Sequence, residues 1–147
     1  MNARTPRQHW MATLSRASRD EIAGLLGALP EHEVLKAPET GTVMVEGRAG
    51  GAGRRFNLGE ATVTRCVVRL ANGRMGFSYA LGRDHRKARL AALLDARLQD
   101  ETQDGRYEGG LHDGIAALAA QQDAARDLAS RKAAATKVDF FTLVRGE

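Results

Sequence analysis

Apolar positions recur at helical spacing over the first thirty residues. Trp10, Met11 and Leu14 form one stripe and Ile22, Leu25, Leu26 and Leu29 the next, which predicts two short helices. Ser18 stands three residues before Glu21, the spacing of a capping box, and Pro30 follows the last apolar position as a stop. From Gly41 the period falls to two. Val43 and Val45 alternate with Thr42, Met44 and Glu46, the stretch EGRAGGAGRRF at 46–56 intervenes, and ATVTRCVVRL resumes as a longer strand. Asn72-Gly73 predicts a two-residue type I′ turn, because Asn and Gly tolerate the positive φ that both central positions need. With Ala71 facing Arg74, that turn pairs Leu70 with Met75, Val68 with Phe77, Cys66 with Tyr79 and Thr64 with Leu81 on a core-facing side. Val63, Arg65, Val67 and Arg69 then oppose Gly76, Ser78 and Ala80 on the other side.

After Gly82 the helical period returns, with Asp84 as N-cap and Leu90, Leu93, Leu94 and Leu98 along the side that covers the sheet. Residues 100–110 are a polar loop, and Leu111, Ile115, Leu118 and Leu128 mark a further Ala-rich helix. The ending, VDFFTLVRGE, reads as an extended segment with Phe140 and Phe141 on opposite faces, buried either within this chain or against a partner. The pattern as a whole predicts an α+β fold: an antiparallel sheet, a meander with an Asn-Gly hairpin, covered by helices.

Length fits this picture. A chain of 147 residues makes one domain, 1–147, able to bury roughly 70% of its unfolded surface. The single cysteine, Cys66, excludes an internal disulfide, the N-terminus lacks an apolar leader and no stretch is long enough to span a bilayer, so a cytoplasmic protein is expected. The net charge of +4 is compatible with an anionic partner, but the basic residues are spread along the chain and interleaved with acids, which favours a composition that is simply rich in Ala and Arg.

Candidate chemistry begins with the glycine-rich stretch. A dinucleotide fingerprint requires G-x-G-x-x-G opening a helix, yet Gly51-Ala52-Gly53 runs into Arg54, Arg55 and Phe56 and another strand. A P-loop needs Gly-Lys followed by Ser or Thr, which is also missing. What remains is a glycine-rich connection edged by Arg48, Arg54 and Arg55, suited to phosphate contact. His9, His32, His85 and His112 show no metal-ligand spacing, so no metal is expected, and Cys66 falls on the apolar face as a structural thiol. Arg65 and Arg69 stand roughly 13 Å apart on one strand face, too far to grip one phosphate group together. That face is either solvated or an interface. No self-contained active site is present, which suits a subunit.

The blocks RQHWM (7–11), PETG (38–41), F-x-LGEATVTR (56–65), GFSYALGRD (76–84) and VDFFTLVRG (138–146) resemble the PhnG family, the G subunits of bacterial carbon–phosphorus lyase systems. The resemblance spans nearly the whole chain. It implies a subunit that works with H, I and L subunits to make α-D-ribose 1-methylphosphonate 5-triphosphate from ATP and methylphosphonate, releasing adenine. It also implies a stable core of G, H, I and J subunits, with J a radical S-adenosylmethionine enzyme that later breaks the carbon–phosphorus bond. The glycosidic-bond chemistry is associated chiefly with the I subunit. By the same resemblance the chain is part of a transferase and inactive alone, ATP is a substrate of the assembly, and no cofactor is bound by this chain by itself. No catalytic residue carries over. One departure is Ala88-Arg89, where the family pattern after GRD reads Ala-Glu.

The site expectations are therefore Arg48, Arg54 and Arg55 toward substrate or phosphate, and Arg65, Arg69, Phe140, Phe141 and Arg145 toward a partner. The rival reading is a stand-alone basic module that sets Arg48, Arg54, Arg55, Arg65 and Arg69 on nucleic-acid phosphates. The absence of a recognised motif or an aromatic stacking ladder counts against it, so no nucleic-acid or membrane partner is expected.

Overall fold

A computed structural model describes residues 4–48, 53–103, 106–107 and 110–145, and the side chains within 4–48, 53–101 and 110–135. Helix α1 (Pro6–Arg16) opens on a capping box in which Thr5 and Gln8 cap each other's backbone, with Pro6 at the first helical position. Helix α2 (Arg19–Leu26) opens on the predicted Ser18–Glu21 box. Three strands follow, β1 (His32–Arg48), β2 (Arg55–Leu70) and β3 (Met75–Leu81), forming an antiparallel sheet in that order. The first strand begins well before Gly41. Helix α3 (His85–Asp100) carries the predicted Asp84 cap, whose carboxylate accepts from Lys87 N. Two-residue strands β4 (Thr102–Gln103) and β5 (Arg106–Tyr107) pair within the polar loop, and α4 (Gly110–Arg145) completes the chain.

The core lies between α3 and the inner face of β2 and β3. Leu90, Leu93, Leu94 and Leu98 are buried as predicted, together with Ala88, Ala91, Ala92 and Ala96, so α3 is enclosed nearly all round. Trp10 and Leu14 of α1, Ile22 and Leu26 of α2, and Ile115 and Leu118 of α4 close the other sides.

The β2–β3 hairpin forms, with Asn-Gly in its loop, but its register is one residue from the predicted one. Arg69 pairs with Met75, Val67 with Phe77, Cys66 with Ser78 and Arg65 with Tyr79. Leu70 N donates to Arg74 O (2.8 Å) and Gly73 N to Leu70 O (2.9 Å), which makes a three-residue loop, Ala71–Asn72–Gly73, with Gly73 at φ +90°. The arrangement has the bonding of a three-residue hairpin with a glycine bulge. A one-residue slip exchanges the faces of β3. Gly76, Ser78 and Ala80 are buried, while Met75, Phe77, Tyr79 and Leu81 are exposed.

The helix above the sheet explains this choice. A Cβ on Gly76 would lie 1.9 Å from Ala92 O, and Ser78 Oγ donates to Ala88 O at 2.7 Å. Backbone approach this close admits only small residues, and Phe77 or Tyr79 in those positions would force α3 away from the sheet.

The ending is also revised. Residues 138–145 continue α4 as helix instead of forming an extended segment. The Ala-rich run before them has high helix propensity, and propagating a helix costs far less than starting one. Within α4, Gln122 still bonds Thr13 O (3.0 Å), and residues 123–135 are exposed.

Candidate functional site

The sites predicted from sequence lie on two parts of the sheet. β1 and β2 remain paired beyond the end of β3, from Thr42 opposite Thr62 to Arg48 opposite Arg55, as a two-stranded ribbon. At its tip Arg48 and Arg55 face each other, with exposed Arg54 beside them; residues 49–52 of the glycine-rich stretch lie outside the described residues. Like charges directly opposed repel. Glu46 relieves part of this, at 3.7 Å from Arg55, and an open pocket of about 340 Å³ lies among Glu46, Gly47, Arg48 and Arg55. The tip is cationic, with a single carboxylate in that pocket.

Arg65 and Arg69 lie roughly 30 and 45 Å further along β2 than Arg55 at strand rise, on the outer sheet face. They do not stand over small neighbours, as the predicted register required, but beside Tyr79 and Met75. Arg69 is held by Glu33 at 2.6 Å. Among the described residues Arg65 makes no ion pair, and its Nη2 reaches to 3.6 Å from where a Cβ on Gly41 would stand. Phe140, Phe141 and Arg145 belong to the last turns of α4, and their side chains lie outside the described ones. The structure thus brings Arg48, Arg54 and Arg55 together, and Arg65 and Arg69 onto a separate face.

Sequence reasoning missed the polar centre of the fold. Asp95 is fully buried and accepts from Arg7 Nε (3.2 Å) and Nη2 (2.8 Å), Trp10 Nε1 (2.8 Å), Phe77 N (2.9 Å) and Gln99 Nε2 (3.2 Å). The hydrogen bond to Asp95 raises the Arg7 guanidinium above its ordinary pKa, against the opposing effect of burial. Arg7 also lies over the Phe77 ring, 5.5 Å from its centroid. An Asp in the middle of a Leu- and Ala-rich helical stripe was the available signal, since a buried carboxylate requires donors.

Three contacts close the outer edge of β3. Asp95 takes Phe77 N, Gln99 Nε2 donates to Met75 O (2.9 Å), and Lys87 Nζ donates to Leu81 O (3.2 Å) and Ser15 O (3.2 Å). Burial lowers the Lys87 pKa, with the charges of Asp84 and Glu21 pulling it back up.

Other polar side chains are likewise engaged in structure. Thr64 Oγ1 donates to Gly82 O (2.8 Å) and lies 3.0 Å from Thr40 Oγ1, which lies 3.0 Å from His85 Nε2. With the Thr64 proton committed, the chain is satisfied when Thr40 donates to Thr64 and His85 donates to Thr40. His85 then cannot act as a base toward either hydroxyl. Arg89 donates from Nε and Nη2 to His32 Nε2 (3.1 and 2.8 Å), leaving His32 Nδ1–H for Pro30 O (2.7 Å). The residue that departs from the family pattern is therefore paired with an imidazole. Cys66 is buried, and burial pushes its thiol up, as suits a structural thiol.

Among the described residues no His, Cys, Asp or Glu cluster could hold a metal ion, and no helix is long and apolar enough to cross a membrane. This geometry is that of a scaffold with a cationic tip and an aromatic, arginine-bearing sheet face. The family described as phosphonate metabolism protein PhnG matches residues 5–146. The chain is also similar to the alpha-D-ribose 1-methylphosphonate 5-triphosphate synthase subunit PhnG of Rhizobium meliloti (strain 1021), at 44% identity over 144 residues covering 96% of this chain and 90% of the relative. Similarity of that extent from end to end places the chain in the PhnG family of phosphonate metabolism proteins.

Proposed function

We propose that this chain is a subunit of an α-D-ribose 1-methylphosphonate 5-triphosphate synthase, which joins the ribose triphosphate of ATP to methylphosphonate and releases adenine. The observation that carries the reading is the 44% identity, over nearly the whole chain, to a protein named as a subunit of that synthase. The geometry agrees. The buried carboxylate, the threonine pair and the inward-facing lysine are all engaged in holding elements together, so this chain supports a site instead of containing one.

Its partners in this reading are the H, I and J subunits of the core and the L subunit for the synthase reaction, in the cytoplasm. ATP enters as substrate of the assembly, and this chain binds no cofactor by itself. Arg48, Arg54 and Arg55 contact the triphosphate or a neighbouring subunit. Phe140, Phe141 and Arg145, on the far end of a helix exposed over 123–135, contact a partner.

Reconstitution tests this directly. Adenine release from ATP and methylphosphonate should require this chain together with the other subunits, and the chain alone should release none. Full adenine release by the other subunits without it would overturn the reading. Replacing Arg48, Arg54 and Arg55 together with Gln should lower adenine release or assembly; no change in either would leave the arginines as a solvated edge.

A further inference from the structure

We propose that the outer face of the sheet, continuous from β3 out along the ribbon, is a docking face for a different protein subunit, one that presents apolar side chains and a carboxylate to Arg65. The inference rests on the subunit reading above and adds to it the surface used and the chemistry of the partner.

A one-sided antiparallel sheet ordinarily turns polar residues outward. Here Met75, Phe77, Tyr79 and Leu81 stand on the outward side of β3, between 37% and 53% exposed. The row containing Leu81 runs through Val63 to Gly41, and Val43 and Val45 continue the same side of β1 onto the ribbon. A bulge then preserves the pattern. Val45 pairs with Gly59 and Glu46 with Asn57, so Leu58 is the extra residue, with the adjoining Gly59 at φ +151°. The insertion shifts the alternation by one and sets Leu58 over Gly47, on the side of Val43 and Val45, with Phe56 opposite Gly47. Leu58 is 62% and Phe56 46% exposed. The other side of the ribbon carries Thr42, Met44, Glu46, Asn57 and Glu60, polar but for Met44. The apolar surface is thus concentrated on one face, where it runs from β3 onto the ribbon as in an interface; Val34 and Met44, on the other side of β1, stand far apart along the strand, and scattered exposure of that kind means little.

Charge selects the occupant. On this face Arg69 is paired with Glu33 and Lys36 with Glu39, at 2.6 and 3.7 Å. Of these three cations Arg65, in the row between Glu39 and Tyr79, is the one with no ion pair among the described residues. A second copy would bring a second such arginine to a desolvated face, whereas a partner carboxylate would complete it. Nucleic acid would call for several uncompensated cations beside the aromatics, and most of this face is aliphatic or already neutralised. Strand addition at β3 is obstructed because Asp95, Gln99 and Lys87 occupy its edge. The face itself is what remains to bind.

The test co-expresses the tagged full chain with the other synthase subunits and measures their capture. Tyr79→Lys, Leu58→Lys and Arg65→Glu should each reduce capture by about tenfold or more, while Leu29→Lys, exposed in the connection between α2 and β1, should not. Circular dichroism and melting of each purified variant verify that it is folded. As an independent measurement, the thiol of Tyr79→Cys should be alkylated readily in the free chain and at least about tenfold more slowly in the assembly. Undiminished capture by folded variants together with an unprotected thiol overturns the inference and leaves the subunit reading standing. A dimer of the chain alone that Tyr79→Lys dissociates, or nucleic-acid binding that Tyr79→Lys abolishes, overturns it in favour of those occupants. If the wild-type chain captures none of the subunits, the subunit reading falls and takes the inference with it.

Discussion

Arg7 of α1 grips Asp95 of α3 through two nitrogens, at 3.2 and 2.8 Å, and the same carboxylate receives the backbone N–H of Phe77 from the edge of β3. One fully buried side chain therefore joins two helices to the sheet. Burying a carboxylate is costly unless donors surround it, and Asp95 has them from Arg7, Trp10, Phe77 and Gln99.

Asp95→Ala should destabilise the chain by about 3 kcal/mol or more, since it strands Trp10 Nε1–H and Phe77 N–H, each worth about 1–3 kcal/mol when left unsatisfied. Arg7→Met should cost less, because Arg7 is partly exposed and leaves the carboxylate its other donors. Urea unfolding of both variants checks the order. Equal costs would mean that the ion pair, and not the sealing of the strand edge, is the dominant contribution.

Two glycines should behave oppositely. Gly76→Ala places a methyl group 1.9 Å from Ala92 O, a backbone atom of the central helix, and should cost about 1–3 kcal/mol or prevent folding. Gly24, inside α2 with nothing within 4 Å of an added Cβ, should accept Ala with a gain of up to about 1 kcal/mol. Melting of the two variants reports both signs. Tolerance of Gly76→Ala would show that α3 sits further from the sheet.

The hairpin register is tested by Phe77. Half-buried on the outer face and against Arg7, it should cost about 1–2 kcal/mol on truncation to Ala, compared with about 2–5 kcal/mol for Leu93→Ala in the core. Chemical denaturation compares them side by side. A Phe77 cost above that of Leu93 would restore the two-residue turn and return Phe77 to the core.

Two buried groups give opposite alkaline behaviour. Burial raises Cys66 above its ordinary 9.0, so its contribution to stability is complete below about pH 9 and is lost as pH climbs through the raised folded value. Burial lowers Lys87 below its ordinary 10.5, so the native state bears the full cost of the charge below the lowered value and is relieved as pH rises toward 10.5. Between about pH 8 and 11, Cys66→Ala should therefore flatten the decline in stability and Lys87→Met should steepen it. Unfolding midpoints across that range decide. A Cys66→Ala slope identical to wild type would place the thiol in contact with water.

What the sequence determined by itself was local or written in whole blocks. The Ser18–Glu21 and Asp84 caps, the leucine stripe of α3 and the burial of Cys66 depend on neighbours within a few residues, and each stands in the structure; the onset of the first strand, read at Gly41, lies instead at His32. The blocks from RQHWM to VDFFTLVRG pointed to the PhnG family, and the family match over 5–146 agrees. The tertiary structure decided the register. Asn72-Gly73 favours a two-residue turn locally, but the preference is worth little against seating Gly76, Ser78 and Ala80 beneath α3, where larger residues would part helix from sheet. It decided the ending too, where aromatic and β-branched residues that favour strands are carried into α4 by the helix before them. The arginines were legible as chemistry, but whether Arg65 stood over small side chains or beside Tyr79 depended on that one-residue shift. An Asp inside the leucine stripe signalled that Asp95 needs donors, but which ones could not be read, because Arg7, Trp10 and Phe77 are brought to it from distant positions only when the helices pack on the sheet.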